Sequence, residues 1–323
     1  MKVRNIKIMS NSDLRERALL VKLSTSKFGT QRKDQDATSQ TASDQNATKA
    51  SVTVTKSLIP KDCPELKALV KEMAAVSNIF RMLTGPWDEN GFRIIAGTAF
   101  AALQETIEGY TLKIDSLKED LRKAMPQIIA DAPRHLGLMF DASQYPPIGE
   151  IVDSFNIVFD IETIPDRSDV LQIGLDQDRI DRLVRDATAK DVQRTKDLTV
   201  HTHTVVSEAI SGMIDSLDNF GDEIENSKRT KTFRDTMVTN IENVTSTLKG
   251  LNITGDPALD ALADNITAKL TKISAPALRG DKIKGDNRTA VMIEKDAADL
   301  REAVSKSAKQ ISEDLDGVFG IAS

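Results

Sequence analysis

The stretch from Leu103 to Met125, LQETIEGYTLKIDSLKEDLRKAM, decides the fold. Leu103, Ile107, Tyr110, Ile114, Leu117 and Leu121 follow one another at spacings of 4, 3, 4, 3 and 4. That is a heptad a/d seam, which keeps an apolar stripe on one side of a long helix. The spacing predicts a helix from about Arg93 to Met125, roughly 50 Å long at helical rise. Pro126 is expected to kink it and Pro133 to end it, because proline lacks the backbone N–H and crowds the preceding turn. The seam returns at Val206, Ile210, Met213, Leu217 and Phe220, inside a second helical region from Asp176 to Phe220. Thr199 to Val206, TVHTHTVV, is rich in β-branched residues and a poor helix former. The pattern resumes in phase around it, so the helix is expected to continue. The fold class expected is mainly α with a small β component (α+β): two long antiparallel coiled-coil-like helices covering one another, shorter helices and a small antiparallel sheet.

Outward from these helices, Ala18–Phe28 (ALLVKLSTSKF) and Val52–Leu58 (VTVTKSL) alternate as strands do. They are expected to pair as a hairpin. Residues 29–50, between them, contain no apolar side chain larger than Ala and read as a flexible loop. Pro64 suits a helix start, with Leu66, Leu69, Val70, Met73, Val76 and Ile79 as its stripe. Thr84–Trp87 and Glu89–Gly91 break that helix. His135–Pro147 reads as a connector and Ile148–Phe155 as a short helix. Asn156–Pro165 (NIVFDIETIP) reads as a half-buried strand, with Leu171–Ile173 as its candidate partner. Helices follow at Thr232–Leu248, with Gly250 as C-cap, from Asp256-Pro257 onward, and at Thr289–Leu315. The domain division expected is 1–62 (strands and the loop 29–50), 63–275 (helical core with a strand insertion at 156–174) and 276–323 (linker and charged helix).

Composition excludes several classes. The 323 residues include one Cys and three His, with 4% aromatics and a net charge of -6. One Cys excludes a disulfide scaffold or a Cys-based zinc site. A negative, aromatic-poor chain is a poor default nucleic-acid binder. The first twenty residues lack the apolar core of a signal peptide, and no uncharged run approaches the roughly 20 apolar residues of a membrane helix. The expectation is a soluble protein of a reducing cytoplasm, where Asn252-Ile253-Thr254 and Asn265-Ile266-Thr267 carry no glycan.

Few residues carry recognisable chemistry. Asp160 and Glu162, in VFDIET, share one face of a strand, as paired carboxylates of a two-metal phosphoryl-transfer site do. The string is similar to the first motif of the 3′–5′ exonucleases with three acidic residues and a further Asp. The later motifs are missing, since Tyr110 and Tyr145 both precede Asp160. The competing reading is an ordinary polar strand face. His201 and His203 diverge by about 200° on a helix and cannot share a metal there. Cys63, before Pro64, reads as a structural thiol, and His135 has no visible partner. No phosphate-binding glycine loop is present, so no cofactor is expected. Lys228, Arg229, Lys231, Lys282 and Lys284 lie in short basic turns flanked by acids. They read as solvated charges, with phosphate contact the alternative.

Taken in order, several segments resemble the domain-of-unknown-function 3150 family of tailed phages and integrative elements. These are Leu20–Gly29, Pro86–Ile95 with Gly91-Phe92-Arg93, Gly137–Pro146 with Phe140-Asp141 and Tyr145-Pro146, Thr232–Ile241, and Leu251–Leu259. The resemblance spans roughly residues 18 to 275 and rests on the ordered set rather than any one string. It implies a non-catalytic partner of a MoxR-type AAA+ ATPase and a von Willebrand-A protein, and it carries over no catalytic residues. The leading expectation is therefore a bacteriophage-type accessory or adaptor protein of the host cytoplasm, acting by protein–protein contact. The alternatives are a DNA-metabolism factor (single-strand binding or recombination accessory), a virion structural or assembly protein, and a metal-dependent 3′–5′ exonuclease using Asp160 and Glu162; a homo-oligomer is compatible with each.

Overall fold

A computed structural model describes residues 11–165, 176–222, 233–282 and 288–319. It is mostly helical, 69%, with a small antiparallel sheet. In chain order the elements are α1 (Asn11–Arg17), β1 (Ala18–Ser26), β2 (Gln31–Asp34), α2 (Gln35–Asp44), β3 (Val54–Ser57), α3 (Pro64–Leu83), β4 (Gly85–Pro86) and β5 (Arg93–Ala96). Then come α4 (Gly97–Leu136), α5 (Ile148–Asp153), β6 (Asn156–Glu162), α6 (Gln177–Asp218), α7 (Asp235–Leu251), α8 (Pro257–Ile266), α9 (Ala275–Arg279) and α10 (Ala290–Phe319). The chain forms two compact units. One holds Met1–Lys22, Arg81–Leu103 and Ile161–Ser323, the other Leu23–Phe80 and Gln104–Asp160.

The first unit is built on α6. Its seam residues Val206, Ile210, Met213 and Leu217 are buried in one cluster with Ile241, Val244 and Leu248 of α7, Leu262 and Ile266 of α8, and Ala308, Ile311, Leu315 and Phe319 of α10. Each such side chain contributes roughly 1.5–3 kcal/mol when fully buried. The expectation that the two long helices cover each other is corrected here, because α7, α8 and α10 fill the α6 seam. Thr199–Val206 stays helical, as expected. Thr199 and Thr202 donate their hydroxyls to the carbonyls of Thr195 and Leu198, both at 2.8 Å, so the hydroxyls are satisfied along the helix.

A second, smaller cluster in this unit gathers Ala18, Leu20, Ile94, Ala96, Ile164 and Ile253. It lies beside β1 and β5, which pair antiparallel from Ala18↔Ala96 to Val21↔Arg93. β4 pairs with β5 at Gly85↔Ile94, and the four-stranded order is β4-β5-β1-β6. The expected hairpin of β1 with the strand near Val52 is therefore corrected: β3 pairs with β2, from Gln31↔Ser57 to Asp34↔Val54.

In the second unit, residues 29–50 depart from the loop expectation by forming β2 and α2. Polar side chains order this segment where apolar ones are lacking. Asp34 Oδ1 accepts from the Ala37 N–H at 2.9 Å and Oδ2 from Lys56 Nζ at 3.0 Å. Thr38 Oγ1 donates to the Asp34 carbonyl at 2.6 Å and accepts from the Val54 N–H at 2.9 Å. Lys56, with its side chain 3% exposed, also donates to the Met139 carbonyl. Buried charge is tolerated only with such partners.

Of the α4 seam, Leu103, Ile107, Ile114 and Leu121 are buried, as is Met125 beyond it, while Tyr110 and Leu117 are half-buried. Its bounds differ from expectation. Arg93–Ala96 is strand β5, and Pro126 and Pro133 both lie inside the helix. Met125 and Ala132, each next to one of these prolines, are buried, and this packing outweighs the lost N–H groups. His135 accordingly sits in the last turn of α4 rather than in a connector. Gly250 lies inside α7, and the C-cap is Asn252. There a Cβ would stand 3.3 Å from that of Ala99.

Candidate functional site

A recess of about 930 Å³ in the first unit opens at the N-terminal end of α4. β5 runs directly into this helix at Ala96-Gly97, and Gly97, Thr98 and Ala99 of its first turn line the recess. Ala96, Ala99, Ala102 and Ile253 are its apolar lining. Charged residues line it as well. Arg17, at the end of α1, stands beside Gly255, whose φ of +66 favours glycine. Lys249 of α7 pairs with Asp264 of α8 at 3.0 Å. Asp260, one turn before Asp264, accepts from Asn252 Nδ2 at 2.9 Å, and Asn252 Oδ1 accepts from the Asp256 N–H at 2.8 Å. That second bond shapes the turn into α8, which Asp256 caps through the Ala258 N–H at 2.9 Å.

The residues singled out by sequence lie elsewhere. Asp160 and Glu162 are both exposed on β6, as the alternation implies. Among the described residues no group of three or more His, Cys, Asp or Glu is placed to hold a metal ion. His201 and His203 go to different neighbours. His201 Nε2 lies 3.0 Å from the Thr84 carbonyl, and His203 Nε2 lies 2.8 Å from Asp316 Oδ1. Cys63 is buried, with Sγ 3.3 Å from Glu65 Oε2, and burial pushes its thiol pKa up. Lys282 is exposed after α9. Lys228, Arg229, Lys231 and Lys284, and the candidate strand Leu171–Ile173, lie outside the described residues.

No family model, no curated protein and no solved structure matches the chain. No helix among the described residues is long and apolar enough to cross a membrane.

The sequence reading missed the recess because its residues come from α1, β5, α4, α7 and α8. Two local signals were legible. Asp260 and Asp264 are four apart and share a helix face, and Gly97-Thr98 follows the apolar run Ile94-Ile95-Ala96 directly.

Proposed function

We propose that this chain is a non-catalytic accessory protein that works by protein–protein contact, with the recess at the start of α4 as the contact site. One observation carries this reading: apolar Ala96, Ala99, Ala102 and Ile253 line the recess together with the charged residues Glu16, Arg17, Lys249, Asp260 and Asp264. Apolar side chains beside charged and hydrogen-bonding ones are the make-up of a protein interface. The heptad-spaced α4 and α6 act in this reading as stiff, coiled-coil-like rods that hold the surface in shape. The resemblance to the phage and integrative-element family points to a MoxR-type AAA+ ATPase and a von Willebrand-A protein as partners, in the cytoplasm of a bacterial host.

The test is co-purification of the tagged full chain with those two proteins, beside the variant Ala102→Glu, which puts a new charge in the lining of the recess. The wild type should retain at least one of them and the variant should retain less. A chain that runs as a clean monomer and retains neither overturns the reading.

A further inference from the structure

The C-terminal end of α3 is held by side chains from three other elements. Arg93 of β5 donates from Nε to Thr84 Oγ1 at 2.7 Å and from Nη2 to the Arg81 carbonyl at 2.9 Å and the Thr84 carbonyl. Thr247 of α7 donates to the Met82 carbonyl at 3.2 Å. His201, in the middle of α6, places Nε2 3.0 Å from the Thr84 carbonyl, 3.2 Å from the Arg81 carbonyl and 3.2 Å from Arg93 Nη2. The last carbonyls of a helix carry partial negative charge, and these donors satisfy them.

The charge that acts on His201 is that of Arg93. β5 brings the Arg93 guanidinium, and α3 brings Arg81 beside it. β4 (Gly85–Pro86), which packs on α6, brings no titratable group. On α6 itself, Asp197 lies one turn earlier, exposed and bonded to Gln193 Nε2 at 2.7 Å. Arg194, two turns earlier, stacks on Trp87 at 4.1 Å. His203 pairs with Asp316 of α10.

We propose that His201 and Arg93 form an acid-sensitive latch. Neutral His201 ties the middle of α6 to the C-terminal end of α3, and its protonation sets two cations 3.2 Å apart and loosens the tie. Coulomb repulsion at that range is substantial in a half-buried site, where water screens little. Burial and then the Arg93 charge hold the His201 imidazole below its usual range. Burial, and then Arg81, lower Arg93 itself to about 10, so Arg93 stays charged wherever His201 titrates. A base whose pKa is lower folded than unfolded binds fewer protons in the native state. The latch is therefore complete above the ordinary histidine value and is lost as pH falls through the folded one. This inference does not depend on the contact site at α4.

The experiment follows the three imidazole Cε1–H signals by NMR between pH 8 and pH 4, on the order of one pH unit either side of the histidine range. His201 should titrate below the ordinary histidine value of about 6.5, and Arg93→Gln should move its midpoint upward. Amide exchange of α6 residues 198–206, corrected for intrinsic rates, should rise on acidification in the wild type and respond less in His201→Asn. A His201 midpoint at or above the ordinary value overturns the proposal, as does an acid response of α6 exchange that survives in His201→Asn. Both wild-type measurements stand even if a variant fails to fold.

Discussion

His203 Nε2 and Asp316 Oδ1 face each other at 2.8 Å, one on α6 and the other near the end of α10. At the other end of the same pairing, Asp218 accepts from Ser305 Oγ at 2.5 Å and pairs with Lys309 at 2.7 Å. Low residue numbers on α6 thus meet high ones on α10, so the two helices run antiparallel. Polar contacts bracket the apolar seam at both ends and set its register, while the aliphatic residues between them supply most of the binding.

Truncating that seam should be costly. Ile311→Ala removes a fully buried side chain among Val206, Ile210 and Leu315, and is expected to cost about 2–5 kcal/mol in urea unfolding. Leu112→Ala, at an exposed position of α4, should stay within about 0.5 kcal/mol.

Asp218 gives the pairing a dependence on acid. Its hydrogen bonds from Lys309 and then Ser305 hold the carboxyl below the usual range. A lowered carboxyl pKa means the folded state binds fewer protons, so this contribution is present above the unfolded value near 3.8 and fades as pH falls further. Asp218→Asn should flatten the acid limb of the stability curve measured by thermal unfolding.

In the second unit, Asp34 joins β2, α2 and β3. The Ala37 N–H and then Lys56 lower its pKa, so its contribution too is lost on acidification below the ordinary carboxylate value. Asp34→Ala removes the cap of α2 and leaves the buried Lys56 ammonium with one fewer acceptor. Limited proteolysis should then cut within 29–50 faster than in the wild type.

Cys63 offers a probe of opening. Its thiol is buried and its pKa is raised chiefly by burial, so the reactive thiolate is scarce in the native state. Modification by a thiol reagent at pH 8 should follow the rate of unfolding rather than the reagent concentration.

Much of the helical architecture was legible. The α4 seam could be read because a heptad stripe is a local pattern that survives any arrangement of neighbours, and Leu103 through Met125 are buried on the expected side. The capped starts at Pro64 and Asp256-Pro257 were equally plain, because capping chemistry acts within one turn. Residues 29–50 misled for a physical reason. Polarity usually marks a segment unable to offset its ordering entropy, but Asp34 and Thr38 replace apolar burial with side-chain bonds to the backbone and to Lys56. β5 reads as helix in the sequence because Arg93–Ala96 adjoins a strong helical stripe, and only pairing with β1 makes it a strand. Pro126 and Pro133 read as a kink and a stop because their local penalty is visible in the sequence and the packing that offsets it is not.

By itself, then, the sequence determined where the long helices run, which side of each is apolar and which classes of chemistry the composition disfavours. These are properties of periods and counts, carried by residues a few positions apart. Tertiary structure alone decided that α7, α8 and α10 cover the α6 seam, that β1 pairs with β5, that His201 meets Arg93 across 108 residues, and that five elements line one recess. Such relationships depend on which apolar faces find each other when the chain closes on itself. Many partners are compatible with any single stripe, and the choice among them belongs to the whole packed core.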